Sequence, residues 1–495
     1  MRILWVCNIM LPEIAGALDR EIPAVGGWMS GLLHALAGSG QVELGVCFPT
    51  CEPGEALSGK TQVSPVPDRL FESSDSSEGA DTSEGFASSG GSDTSEGFAS
   101  SGGSDTSERF SSFEASAFSR VSGLAGVSGS SMELSYYSFY QKRLVLEKYD
   151  LAVEEQIRGI IRKFKPDVVH IFGTEYLHSL AAVKAFGHPE RTVIGIQGMV
   201  SVYARHFMAD VPDWVRRGCT FRDLVKRDNL YRQQKSFVKR GEYERAAIRQ
   251  VSHVLGRTDW DLACTREIHP DVNYHFCNEI LRDSFYHARW KTEDCEPYSI
   301  FISQGSYPIK GFHFMLEALP EICSHYPEAK VYVAGGDITR KSWKDWLRQS
   351  SYGRYIEKLI KKYGLGERVI FTGFLSEEEV LKRYLRANVF VSPSSIENSP
   401  NSVGEAMLLG MPVVSSDVGG VKNLLTHGEE GYLYPCDAPY LLAWYVKQIF
   451  ADVDRAKRLG EAAAIRAAGT YDQKKNAARM LAVYQEIGEG VNGAL

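Results

Sequence analysis

The chain has 495 residues, 44% of them hydrophobic and 24% charged, with a formal net charge of −7. That length exceeds one ordinary core and implies at least two domains, and the composition is that of a soluble globular enzyme. No stretch approaches the ~20 apolar residues of a spanning helix, and the charge, which points to no nucleic-acid partner, is confined: residues 73–131 hold nine acids against two bases, which accounts for the full −7.

In chain order, "RILWVCNIM" reads as a buried first strand. It is too short for a secretory h-region, contains Asn8 and lacks a small-residue cleavage site. Gly26 and Gly27 follow at the start of a helix, "GGWMSGLLHALAGSG", where glycine lets a ligand approach the backbone. "QVELGVCFP" is a second strand. The unit "DTSEGFASSGGS" begins at Asp81, recurs at Asp93 and restarts at Asp105. Its Ser/Gly/acid composition cannot bury a core, so 73–131 is expected to be a disordered insertion.

A helix through "LAVEEQIRGIIRKF" then leads to strands "DVVHIFG", "RTVIGIQG" and "VSHVLGR". The second half repeats the alternation with "YSIFISQG", "KVYVAGG", "RVIFTGF", "NVFVSPS", "MPVVSSD" and "GYLYP", and with a helix at "GFHFMLEALPEICSHY". Strands alternating with helices predict parallel sheets covered on both faces. The expected organisation is a first Rossmann-like domain over 1–292, a second over 293–475, and a C-terminal helix and tail over 476–495 that packs back toward the first. Ligands of such sheets bind beyond the carboxyl ends of strands. Nine scattered cysteines read as reduced thiols in a cytoplasmic setting. Cys264, His269, His275 and Cys277 match no common zinc spacing, and no metal is expected.

The loop "SIENSPNSVGEAMLLG" carries the clearest chemistry. Asn398 or Ser399 is expected to cap a helix with Pro400 at its first position. The free amides of Asn401, Ser402 and Val403 then form an anion site suited to a diphosphate. Glu397 and Glu405 flank it. Carboxylates beside phosphates would repel them, so both are expected to accept hydrogen bonds from neutral sugar hydroxyls. In "SQGSYPIKG", Gly305 ends a strand and Lys310 offers positive charge to a departing diphosphate.

These loops together resemble retaining glycosyltransferases of the GT-B fold, specifically family 4. Glu397 and Glu405 match the E-x7-E pattern, Lys310-Gly311 the K-G step, "DVGGVKNLLTHGEEGYLYP" the glycine-rich segment after it, and Gly26-Gly27 the N-terminal glycine loop. The resemblance covers most of the chain outside 73–131 and is strongest over about 299–436. It implies two doubly wound domains facing across a cleft and transfer of a sugar from a nucleotide diphosphate sugar, weakly a UDP-sugar, with retention and without an obligatory metal. Glu405 would bind ribose, Glu397 the donor sugar, Lys310 with the amides at Asn401 and Ser402 the diphosphate, and Gly373 and Phe374 the base.

Two departures stand out. The family's arginine before the lysine is replaced by a shorter loop that puts Ser306 near its place, and Arg257 is the expected substitute. Where relatives place a histidine, this chain has Gln197-Gly198, so His206 or His178 is expected to approach instead. The Asp-x-Asp triplets at 259–261 and 452–454 read as chance. Residues 214–250 hold eleven Lys and Arg interleaved with five aromatics. They fit a surface that docks on anionic membrane near a lipid-linked acceptor, or equally a solvated helix. The expected function is therefore sugar transfer to a saccharide or lipid-linked acceptor in polysaccharide or glycoconjugate biosynthesis, in the cytoplasm or at the inner membrane face. A retaining phosphorylase, a disaccharide synthase, and a nucleotide-sugar-binding partner without catalysis are the alternatives.

Overall fold

Apolar runs such as "ILWV", "VVHIF" and "SIFI" are buried along their whole length, the pattern of strands covered on both faces. In the computed structural model, residues 1–20, 27–52, 56–65, 131–142, 148–339 and 342–492 are described. Gly26 and the repeat segment through residue 130 lie outside them.

The first sheet contains β1 (Arg2–Val6), β2 (Glu43–Thr50), β3 (Ser58–Val63), β4 (Met132–Tyr140), β5 (Val168–Phe172), β6 (Thr192–Gly195), β7 (His253–Gly256) and β8 (Asn273–Phe276). Their order is β3-β4-β2-β1-β5-β6-β7-β8. All neighbours run parallel except the edge pair β3 and β4. The second sheet contains β9 (Ser299–Ile302), β10 (Lys330–Val333), β11 (Val369–Phe371), β12 (Val389–Ser392), β13 (Val413–Ser416) and β14 (Tyr432–Tyr434), in the parallel order β11-β10-β9-β12-β13-β14. Both halves are doubly wound, with the first and central strands adjacent at the point where strand order reverses.

The two cores exchange chain. Phe207, Met208, Val211, Val215 and Leu230, from the first half, pack in the second half's core. The helix Gln473–Asn492 returns to the first half and buries Met480, Leu481, Val483, Tyr484 and Ile487 there. Tyr484 Oη accepts from Trp5 Nε1 at 3.1 Å and lies 2.7 Å from His170 Nδ1. Apolar burial at about 25 cal/mol per Å² makes this exchange a substantial tie between the halves.

Candidate active site

The segments that carry Gly305 to Lys310, Gly373 with Phe374, and Glu397 to Ser402 leave the carboxyl ends of second-sheet strands. After β9, Ser303–Tyr307 leads into a 3-10 turn, Pro308–Lys310, closed by Gly311 at φ +65. After β12, Pro393–Pro400 leads into the helix Asn401–Leu409. The Lys310 ammonium meets Glu397 Oε1 at 2.5 Å, and Ser394 Oγ donates to the same oxygen at 2.8 Å. The other carboxylate oxygen, Oε2, has no partner among the described residues. Burial opposes the Lys310 charge, but Glu397 outweighs it and holds the ammonium above its ordinary range.

Glycines fit this loop to its neighbours. A Cβ on Gly311 would lie 1.7 Å from Pro393 O, and one on Gly419, at φ +54, would lie 1.9 Å from Glu397 O. Gly420 N–H donates to Glu397 O at 3.1 Å. The motif glycines therefore act here by letting backbone pass close to backbone.

The predicted cap is not what forms. Pro400 is the N-cap residue, and no side chain caps the helix Asn401–Leu409. Asn398 is instead drawn across to the first half: its Oδ1 accepts from Thr258 Oγ1 at 2.7 Å and its Nδ2 donates to Asp261 Oδ2 at 2.9 Å. The Val403 amide, expected to be free, donates to Pro400 O. The Asn401 and Ser402 amides find no acceptor among the described residues, as first-turn amides do. Ser399 is buried beside them.

Asn401 Nδ2 donates to Glu279 Oε2 at 2.7 Å, and Glu279 Oε1 lies 2.5 Å from Arg257 Nη1. Arg257 also donates to the carbonyls of Ile196 and Gln197. The expected substitute cation thus stands behind the helix mouth, linked to it through Glu279. Asp261 caps the helix Asp259–Ile268 in a reciprocal box with Thr258, and Asp452 caps the helix Val453–Thr470. Both acid triplets therefore have structural work.

Glu405 sits one turn into its helix. Arg282 grips it with two bonds, 2.7 and 2.8 Å, and Tyr384 Oη lies 3.4 Å away. Burial pushes the Glu405 carboxyl above its ordinary range, against the pull of Arg282. Gly27 packs on the Arg282 side chain, since a Cβ there would lie 2.6 Å from its Cγ. Gly305 is likewise a packing glycine, with Val333 at 2.8 Å from a would-be Cβ, and Ser306 is exposed. Gly373 pairs with Gly335 by two backbone bonds, and the two loops present Phe374, which is 89% exposed.

Across the cleft, His206 ends the helix Val200–His206, exposed, with its carbonyl accepting from Ser395 Oγ at 3.2 Å. His178 is buried between Gln141 and Asn8, and burial pushes its pKa down to about 3. Both of its ring nitrogens are taken up by these partners. Asn8 Nδ2 also donates to Glu175 Oε2 at 2.8 Å. Burial raises the Glu175 carboxyl to about 7. Burial and the charges of Glu397 and Glu175 hold the Tyr203 hydroxyl above its ordinary range. Sequence reading missed Arg282, Glu279, Tyr384 and Glu175, none of which stands at a fixed offset from a motif.

Residues 284–466 match the family model described as glycosyl transferases group 1. The chain is 31% identical over 161 residues to an uncharacterized glycosyltransferase of Methanocaldococcus jannaschii, covering 32% of this chain and 37% of that protein. It is 28% identical over 257 residues to alpha-D-kanosaminyltransferase of Streptomyces kanamyceticus, covering 50% and 63%. The chain thus spans about two thirds or less of the length of these relatives. Among solved structures, sucrose-phosphate synthase of Thermosynechococcus elongatus superposes with a TM-score of 0.62 at 15% identity, over 99% of this chain and all of that one. Anabaena HepE in complex with UDP-glucose superposes at 0.54 with 14% identity, each chain fully covered. The chain has the GT-B fold, and its second half carries the match to glycosyl transferases group 1.

Proposed function

We propose that this chain is a retaining hexosyltransferase of family 4, moving a sugar from a nucleoside diphosphate sugar, preferentially a UDP-sugar, to a saccharide or lipid-linked acceptor in polysaccharide or glycoconjugate synthesis. The observation that carries the reading is the Lys310–Glu397 pair beside the unpaired amides of Asn401 and Ser402. A diphosphate at that helix mouth gains hydrogen bonds from bare amides and the field of the helix and of Lys310. Glu397 keeps Oε2 for a donor hydroxyl. A carboxylate offers about four acceptor positions. Arg282 and Tyr384 use three on Glu405, so holding both hydroxyls of a ribose requires one of them to yield. Phe374 would stack on the base. As the bond to the leaving phosphate opens, charge grows on the phosphate oxygens, and Lys310 with the two amides stabilises it electrostatically without any metal.

The test is a thermal-shift panel of UDP, GDP, ADP and their sugars. A ligand at 100 times its Kd stabilises by about 2.7 kcal/mol, so one base should stand apart, and a panel without any shift would reject the donor site. The anomeric configuration of the product, read by NMR, decides retention. Slow donor hydrolysis lost in Glu397→Gln excludes a binding protein without catalysis, and sugar release dependent on inorganic phosphate alone would favour a phosphorylase.

A further inference from the structure

We propose that the helices Asp213–Arg216 and Phe221–Lys226, joined by Trp343–Arg348 of the second half, form a docking face for an anionic lipid bilayer. Burial of apolar side chains is the rule for a folded chain, yet this small face leaves Trp214 46%, Phe221 50%, Leu224 67%, Val225 65%, Tyr231 53% and Trp346 51% exposed. Phe221, Leu224 and Val225 recur at i, i+3 and i+4, which sets them on one side of their helix. Contiguous exposed apolar surface of this kind marks an interaction site.

Cations outnumber acids around it. Arg217, Lys226, Arg227 and Arg232 are exposed, and none forms an ion pair among the described residues. The acids of the face are all engaged: Asp213 with Arg216, Asp223 and Asp228 with Arg222, and Asp345 in the capping box of its own helix. Apolar side chains flanked by unpaired cations, with Trp and Tyr among them, suit the boundary between acyl chains and anionic headgroups. The basic stretch read from the sequence as 214–250 thereby contracts. Its later part belongs to the fold, with Lys239 paired to Glu242 and Arg240 buried against Phe237.

The face is also rigid across the two halves. Buried Asp223 accepts from Ser351 N at 3.0 Å and Ser351 Oγ at 2.5 Å. Trp214 meets Tyr355 edge-on at 5.8 Å under the Lys358 ammonium, 3.9 Å from its ring. The preceding helix ends at His206, whose carbonyl holds Ser395 of the site loop, so a docked bilayer would lie close to the cleft. Docking itself stands independently of the donor assignment. Delivery of a lipid-linked acceptor rests on it.

The test is sedimentation of the full chain with vesicles of phosphatidylcholine alone or mixed with phosphatidylglycerol, at low and raised salt. The chain should bind only the anionic vesicles, and more weakly in salt. Each basic residue near such a surface is worth about fivefold in affinity, so Lys226→Glu/Arg227→Glu should lower binding by more than tenfold. Leu224→Glu/Val225→Glu should also abolish binding, with circular dichroism and nucleotide-induced thermal shifts unchanged in both variants. Lys239→Glu, away from the face, should bind as the parent does. Equal binding by all variants, or no binding to anionic vesicles, overturns the proposal. So does a dimer in light scattering that Leu224→Glu/Val225→Glu dissociates, because the face would then belong to a second copy.

Discussion

Lys310 and Glu397 form an ion pair with both side chains largely buried, and that pairing sets what each substitution does. Lys310→Met strands a buried carboxylate, at a cost of about 3–5 kcal/mol of stability. Glu397→Gln keeps the shape but loses the charge, and turnover should fall roughly 10²–10³-fold while the fold survives. Denaturation and single-turnover kinetics on the two variants separate these outcomes. Glu175 gives a pH signature. Its carboxyl titrates near 7 because it is buried, with the Glu244 carboxylate adding to the rise and Asn8 and the Arg240 guanidinium opposing it. A raised folded-state value means the native protein holds a proton that the unfolded chain has released. Stability from this group is therefore full below the ordinary carboxylate range and is lost as pH climbs toward 7 and beyond. Glu175→Gln should leave Tm unchanged near pH 5, where the native group is neutral, and raise it at pH 8. An equal shift at both pH values would show that Glu175 does not titrate this way. The eight-residue spacing of Glu397 and Glu405 was legible because both lie on one loop and helix. Arg282 was not, because it reaches Glu405 across 123 positions, a distance over which no local pattern holds.

At the scale of elements, alternating apolar runs revealed eleven of the strands, and their loops fall where a parallel sheet puts them. The misses have physical causes. β3 is a polar edge strand, antiparallel to β4, and in "SGKTQV" only Val63 is buried. β8 is a second edge strand of four residues. The cap at Asn398 failed because an asparagine that satisfies a helix amide in isolation here finds better partners on the other half, Thr258 and Asp261. The glycines of "DVGG" were legible only as a match to the family's glycine-rich segment, and their structural role is to let one turn lie against the site loop. Two substitutions at the same left-handed backbone test this. Gly428, at φ +83, has open space where a Cβ would go. Gly428→Ala should cost only the backbone term of about 1–2 kcal/mol. Gly419→Ala meets Glu397 O at 1.9 Å, so it should destabilise further and also reduce turnover by displacing Glu397. Equal Tm values and unchanged turnover in the pair would remove Gly419 from the site's support.

At the scale of the whole molecule, the halves are tied at both ends of the cleft. Asn398 and Asn401 bind Thr258, Asp261 and Glu279 at the front. The helix Gln473–Asn492 crosses back behind. Its Tyr484 serves Trp5 and His170 in a buried cluster, and burial pushes His170 down to about 3, so this tie carries no charge at neutral pH. Tyr484→Phe should cost about 1–3 kcal/mol, the penalty for leaving buried polar groups unpaired. Ending the chain at Asp472 is more drastic, because it uncovers Trp5, Leu33 and Leu36, which share a core cluster with Leu481 and Tyr484. The full chain should then melt in one calorimetric transition and the shortened chain in two, the earlier from the first half alone. Nucleotide should raise only the later transition of the shortened chain, since the diphosphate helix belongs to the second half, whereas it should raise the single transition of the full chain as a unit. One unsplit transition at unchanged Tm in the shortened chain would mean that the front contacts alone couple the halves, and that the returning helix adds nothing to the cooperativity of the fold.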